Sequence, residues 1–402
     1  MKKNFKLSDR ISRIQPSATL AMTAKAAELK RNNQPVYNMS VGEPDFATPQ
    51  HIQAAGEAAI RNGFTKYTPG SGTFELKEAI SVKIERDNNL NYSKEQIIVS
   101  CGGKHSLYNA CQTLFQDPDE VIIFSPYWVS FPDFVSVTGA KPVFVNTIKS
   151  KQFEPDFDDL EKKINNNTRG IIINSPSNPT GGVWSDQAVL RVLDLCKNKD
   201  IWIFSDECYE QLVYDKPFKS ISYLGKQNDR ILTFQSCSKT YAMTGWRIGY
   251  TIGNINVIKG MSKLQGQSTS CPNSIAQHAA IAALQEDQKC VKEMKEIFLN
   301  RRNLILNLLE DIENIHTEIP RGAFYVFPDF SYYFGSINPL TNTKINNSSD
   351  LSLYILNDTG VVTVAGDSFG ASNHIRLSYA TSEETITKAI SLINQSLLKL
   401  IF

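Results

Sequence analysis

Long apolar runs are missing from this chain. Nowhere in its 402 residues does a stretch approach the ~18 consecutive apolar positions of a membrane span. Charge of one sign is missing too: 42 Lys and Arg stand against 41 Asp and Glu, a formal net charge of +1. That balance argues against electrostatic capture of nucleic acid or of an acidic membrane. Cysteine is sparse and unpaired. The seven cysteines, an odd number, are scattered without a C-x-x-C pair, as expected of free thiols in a reducing compartment rather than a disulfide framework. Only five histidines occur, with no H-E-x-x-H and no Cys/His cluster, so no metal site is expected. The start, Met1-Lys2-Lys3-Asn4, is basic, but Ser8, Asp9 and Arg10 follow where a secretion signal needs an apolar stretch. The expectation is a cytoplasmic protein with neither membrane nor nucleic acid among its partners. What is present, 41% hydrophobic and 21% charged residues, is ordinary for a globular chain. The length suggests two or three domains.

Short β-branched runs alternate with helical patterns through the middle of the chain. Ile97-Ile98-Val99-Ser100 reads as a strand, followed by Gly102-Gly103 and a helix from Lys104. Val121 to Phe124, Lys141 to Val145, Ile171 to Asn174, Ile201 to Phe204 and Ile231 to Phe234 continue the series. These runs are apolar throughout rather than alternating, the pattern of a sheet buried on both faces and therefore mostly parallel. Helical spacing between several of them, as in Gln187 to Lys197, implies an open α/β sheet. From Asp287 to Leu309 one long helix is expected. Shorter elements follow: a strand at Ala323 to Phe327, a helix at Leu351 to Leu356, strands at Val361 to Val364 and His374 to Ser378, and a last helix from Glu383. They read as a smaller α+β domain. Tyr332 to Asp350, rich in Asn, Ser and Thr, reads as a loop.

Polar residues cluster just after the strands, where open α/β sheets place their ligand crevice. Gly102-Gly103-Lys104 combines a turn that lets backbone approach an anion with the free N–H groups of a helix start. A tight turn with a surface lysine is the competing reading. Asn174 to Gly182 holds two X-Pro bonds in one polar loop, a rigid platform for Asn178. Asp206 follows a fully apolar strand, so its carboxylate needs a cation or donors; a plain helix N-cap is equally consistent. Tyr209, three residues on, can reach the same crevice. Lys239 lies after another apolar strand, in Ser236-Cys237-Ser238-Lys239-Thr240. A desolvated lysine has a lowered pKa and attacks carbonyls. Arg247 and the two serines could hold one phosphate.

Ser-x-Ser-Lys with an arginine eight residues after the lysine resembles the pyridoxal-phosphate segment of the fold-type I aminotransferases. Pro176 to Gly181, Asp206 with Tyr209, and Arg376 match the other motifs of that family in order. Gly42 to Phe46, Lys66 to Pro69, Ser125 to Ser130, Gly322 to Tyr325 and Arg376 to Ala380 tighten the match to the bacterial aspartate aminotransferases of subgroup Ib. The resemblance implies a fold-type I α/β architecture, with a large mostly parallel sheet domain at 47–297 and a small domain built from 1–46 and 298–402. It implies pyridoxal 5′-phosphate as cofactor and a homodimer with shared active sites.

The resemblance also implies roles. Lys239 would hold the cofactor covalently and later carry a proton. Asp206 would pair with the ring nitrogen, Tyr209 and Asn178 with the ring oxygen, and Trp128 would stack on the ring. Ser236, Ser238, Arg247, Gly103 and Lys104 would hold the phosphate, joined by Tyr67 from a partner subunit. Arg376 would clamp the substrate α-carboxylate, a bidentate geometry that lysine cannot supply. Gly42 would let the backbone close over the substrate. Lys104, Ser17 and Thr19 would hold a second carboxylate. The activity expected is transamination of L-aspartate with 2-oxoglutarate. A bifunctional aspartate/prephenate enzyme, an aromatic or alanine aminotransferase, and a C–S β-lyase share the cofactor motifs.

Overall fold

The apolar runs form strands because both of their faces are covered. In the computed structural model, which describes residues 7–14, 26–32 and 34–402, eight strands make one sheet. They are Ile97–Ser100 (β1), Glu120–Ser125 (β2), Lys141–Ile148 (β3), Glu154–Pro155 (β4), Thr168–Asn174 (β5), Trp202–Asp206 (β6), Ile231–Ser236 (β7) and Gly249–Ile252 (β8). Their spatial order is β1-β8-β7-β6-β5-β2-β3-β4. The five strands from β7 to β3 in that order run parallel, as the sequence pattern requires.

Neighbouring residues of each strand point to opposite faces. Ile122, Ile171 and Ile203 pack with Val189 and Val192 of the helix Asp186–Cys196 on one side. Ile123, Ile172 and Phe204 pack with Leu107 and Ala110 of the helix Gly103–Leu114 on the other. Each such buried Ile, Leu, Val or Phe side chain contributes about 1.5–3 kcal/mol.

The sheet departs from expectation at its edges. β8 is antiparallel to both of its neighbours, and β4 is a two-residue antiparallel edge on β3; neither is evident in the sequence. β3 is not buried on both faces: of its eight residues only Val145 is buried, because little lies beyond it but β4.

The helix Lys289–Glu310 leaves the sheet region for a second core. Val291 packs with the helices beside β1, whereas Phe298, Ile305 and Leu309 pack into a cluster with Tyr325, Leu377 and Ile390. That cluster holds an antiparallel ladder in which Ile375–Ser378 lies between Tyr325–Val326 and Val364–Ala365. The helices Ser348–Thr359 and Glu383–Leu397 cover it. Tyr37–Asn38 pairs in parallel with Val361–Val362, so an early segment is stitched to this later part.

The segment 332–350 is not wholly a loop. Ile337–Asn338 and Thr343–Lys344 form a hairpin, seeded by the buried Ser336 and Ile345. Helix Ser348–Thr359 begins within it, its Asn347 cap accepting from the Asp350 N–H at 2.9 Å.

Candidate active site

The carboxyl ends of β5, β6 and β7 and the turn after β1 open onto one cavity of about 500 Å³. The ladder Tyr325–Val326 and Ile375–Ser378 closes it from the other side through Tyr325 and Arg376. The cavity has three chemically distinct regions.

The first is built for an anion. Gly102 has φ +91°, and a Cβ there would fall onto the Arg247 guanidinium, so only glycine fits. The turn starts the twelve-residue helix Gly103–Leu114, whose first N–H groups have no partner within the helix. Ser236 caps the short helix that carries Lys239. Its Oγ accepts from the Ser238 N–H at 3.0 Å and donates to the Ser238 Oγ at 2.8 Å. Arg247 is anchored by Nη1 to the Thr244 carbonyl at 2.7 Å. Lys104 is an exposed residue, and its ammonium lies 5.0 Å from the Trp128 ring centre. Partial desolvation there, with repulsion from Arg247, lowers its pKa.

The second region holds a buried carboxylate and a lysine. Asp206 is 5% exposed and accepts from the Cys208 N–H at 3.3 Å. Burial pushes its pKa up to about 6, held back by the Cys208 N–H and the Lys239 charge. Lys239 donates to the Gly42 carbonyl, and burial lowers its pKa from the ordinary lysine range. An amine so placed is readily deprotonated and nucleophilic.

The third region is a cationic fork. Arg376 is 2% exposed and spends one N–H on Asn178 Oδ1 at 2.9 Å and one on the Ser40 carbonyl at 2.6 Å. Its Nε has no partner, and no carboxylate among the described residues pairs with it. The Tyr325 ring lies 4.5 Å from the guanidinium carbon, and the Tyr325 and Tyr209 hydroxyls are hydrogen-bonded at 2.9 Å. The loop 174–182 that presents Asn178 is almost fully buried. A buried loop must satisfy its own backbone: Asn174 Oδ1 accepts from the Asn178 N–H at 2.8 Å, and Gly181 N–H reaches Ser177 O at 3.0 Å.

Gly42, Gly103, Lys104, Trp128, Asn178, Asp206, Tyr209, Ser236, Ser238, Lys239, Arg247 and Arg376 therefore all line this cavity. Tyr67 does not; its side chain stands 90% exposed on the surface. Ser17 and Thr19 lie outside the described residues. Sequence reasoning missed Tyr325, and also Glu43 and Thr244, which are joined by a 2.6 Å hydrogen bond at the cavity wall. Glu43 and Tyr325 sit inside noted motifs, but nothing in those motifs marks which side chain faces inward. A larger depression, about 570 Å³, lies at the opposite ends of the strands. Its Arg169 and Asp200 pair with each other, and it gathers no comparable set of groups.

The donors fit a molecule with a phosphate at one end, a protonatable ring nitrogen facing Asp206, and an electrophilic carbon near Lys239. The family model described as aminotransferase class I and II matches residues 34–393. The chain belongs to that family. It is 43% identical over 387 residues to a probable aspartate/prephenate aminotransferase of Rhizobium leguminosarum bv. phaseoli, covering 95% of this chain and 96% of that one. An aspartate aminotransferase structure from Rhizobium meliloti superposes with TM-score 0.94 at 40% identity, covering 99% and 100% of the two chains. A Thermus thermophilus aspartate aminotransferase solved with maleate superposes with TM-score 0.91 at 38% identity, covering 98% and 100%.

Proposed function

We propose that this aminotransferase binds pyridoxal 5′-phosphate and exchanges the amino group of L-aspartate for the keto group of 2-oxoglutarate, giving oxaloacetate and L-glutamate. The observation that carries the reading is Arg376, a buried guanidinium without an acidic partner among the described residues, facing the same cavity as Lys239 and Asp206. A buried cation needs a counter-charge, and an α-carboxylate supplies one in bidentate form.

The bound cofactor supplies a carbonyl carbon for the amine and a ring that accepts electrons. Ser236, Ser238, Arg247, Lys104 and the helix start at Gly103 hold its phosphate. Asp206 would keep the ring nitrogen protonated, and pairing with that nitrogen would offset the cost of burying the carboxylate. Asn178 and Tyr209 donate toward the ring oxygen, and Trp128 covers a ring face. Arg376 fixes the substrate carboxylate, so that Lys239 Nζ can take the proton from the substrate Cα and return it one position away. Lys104, with Ser17 and Thr19, receives the second carboxylate. Maleate in the Thermus thermophilus relative, itself a dicarboxylate, supports that substrate class.

The Rhizobium leguminosarum relative is named for prephenate as well as aspartate, so a second keto acid of that shape is the alternative acceptor. The reading includes a large domain at 47–297 and a small one from 1–46 and 298–402, supported by the change of core along the helix Lys289–Glu310. It includes a homodimer, supported by the exposure of Tyr67, and a cytoplasmic location, supported by seven free cysteines. No described helix is long and apolar enough to cross a membrane.

The test is a half-reaction. Purified protein loaded with cofactor is mixed with single amino acids, and the cofactor absorbance is followed. Aspartate and glutamate should convert it fastest, and Lys239→Ala should convert none. Conversion by alanine or phenylalanine but not by aspartate would refute the substrate assignment.

A further inference from the structure

Behind the cofactor region lies a buried polar knot that the reaction as described does not use. Its centre is Glu207, the residue after Asp206, with no exposed surface. One carboxylate oxygen accepts from the Ser205 hydroxyl at 2.8 Å, the Ser220 hydroxyl at 2.9 Å and the Ile221 N–H at 2.9 Å. The other accepts from the Gln235 amide at 3.4 Å. The Glu207 N–H donates to the Phe234 carbonyl at 2.9 Å.

Gln235 continues the knot. Its amide also donates to Glu210 at 2.8 Å, and its oxygen accepts from Lys83 and from the Tyr250 hydroxyl, each at 3.0 Å. Lys83, 2% exposed, is bonded to Glu210 as well, and Asn88 donates to Glu210 at 2.8 Å. Asp87 lies 3.7 Å from the Lys83 ammonium. The acidic groups are thus Glu207, whose pKa burial and the neighbouring Glu210 push up to about 7, with Glu210 and Asp87, set against Lys83 and, on Asp87, Arg86.

Stability alone does not account for such a knot. Replacing buried charges by well-packed apolar groups is often neutral or stabilising, so the polar groups call for another explanation. What Glu207 joins supplies it. Ser205 and Asp206 end β6; Gln235 directly precedes Ser236, the end of β7. These strand ends carry the group for the ring nitrogen and the groups for the phosphate and the carbonyl.

We propose that Glu207 is a positioning residue: it clamps the end of β6 to the end of β7 and so fixes the span between Asp206 and the Ser236–Lys239 segment across which one rigid cofactor must fit. The inference rests on the cofactor reading above. Within it, a carboxylate is needed rather than an amide. All four side-chain contacts of Glu207 are accepted ones, and an amide would turn one acceptor into a donor facing Gln235.

The test uses cofactor-free full-length protein titrated with pyridoxal 5′-phosphate, followed by absorbance, for the wild type, Glu207→Gln and Ser220→Ala. Glu207→Gln should raise the Kd about ten-fold, which corresponds to about 1.4 kcal/mol. It should also move the pH midpoint of the bound cofactor's absorbance upward. A less firmly held Asp206 protonates the ring less completely, and the ring then draws less electron density from the carbon near Lys239. Ser220→Ala removes one contact outside the cavity and should shift both readouts the same way by a smaller amount; it carries the test if Glu207→Gln does not fold. If the folded variants lose thermal stability but keep wild-type Kd and pH midpoint, Glu207 is a structural residue only and the proposal fails. If the wild type binds no cofactor, the functional reading fails and takes this inference with it.

Discussion

Arg376 donates an N–H to the side-chain oxygen of Asn178 at 2.9 Å, and this contact joins the strand Ile375–Ser378 to the buried loop after β5. A second N–H of the guanidinium donates to the Ser40 carbonyl at 2.6 Å. Lysine could replace its charge but not its fork. Arg376→Lys should lower kcat/KM for every amino acid substrate by roughly ten- to a hundred-fold, the worth of a charge-assisted contact of about 1.5–3 kcal/mol. Steady-state kinetics over several substrates would check it. A loss confined to aspartate would show that Arg376 holds the distal carboxylate instead.

Two roles are proposed for Lys104, at the phosphate and at the distal carboxylate, and its ammonium lies beside Trp128. Lys104→Ala separates them. If it serves the distal carboxylate, kcat/KM for aspartate and glutamate should fall by roughly ten- to a hundred-fold while alanine and phenylalanine change little. An equal fall for acidic and neutral amino acids would remove the reason for preferring aspartate, though not the family.

Asp206 makes the cofactor-free protein pH-sensitive. Its folded pKa, about 6, lies above the ordinary 3.8 because the charged form is buried. The folded state therefore holds its proton more tightly than the unfolded state, and stability falls as pH rises through the window from about 4 to 6. Asp206→Asn should flatten that part of the curve and gain up to about 3 kcal/mol at pH 7, while transamination collapses. Urea unfolding of both cofactor-free proteins between pH 4 and 7 would measure it. An unchanged slope would mean that Asp206 has the same pKa in the folded and unfolded states.

The Tyr67 side chain stands 90% exposed on the single chain. If it reaches the phosphate of a partner subunit, the protein should sediment as a dimer, and Tyr67→Phe should weaken cofactor retention by about 1–3 kcal/mol. A fully active monomer would contradict both expectations.

The parallel strands were legible because burial on two faces leaves apolar runs such as Ile171-Ile172-Ile173. The antiparallel β8 was not. Its four residues follow Arg247 without a crossover helix, and Gly-Tyr-Thr-Ile carries no strong period. The hairpin at 337–344 was hidden for a different reason: residues 339–344 are exposed, and of its buried anchors, Ser336, Asn338 and Ile345, two lie just outside the strands.

Among site residues, Asp206 and Lys239 could be named from type and place after apolar strands, and Arg376 through the family resemblance. Tyr325 could not. It lies in the apolar run Ala323 to Phe327, and only the folded ladder turns its hydroxyl toward Tyr209 and its ring toward Arg376. Glu207 stands in plain view beside Asp206, but its four partners come from three separate segments of chain.

Gly249, the first residue of β8, touches the turn after β1 so closely that a Cβ there would overlap the Gly103 backbone nitrogen. Two lengths of main chain remote in sequence thus meet with no side chain between them. Any heritable change at Gly249 pushes on the anion-binding turn, and a second change cannot relieve it, because what it strikes is backbone. Descendants of this chain can drift freely in the hairpin 337–344, but at this crossing they have no neighbouring sequence to move to.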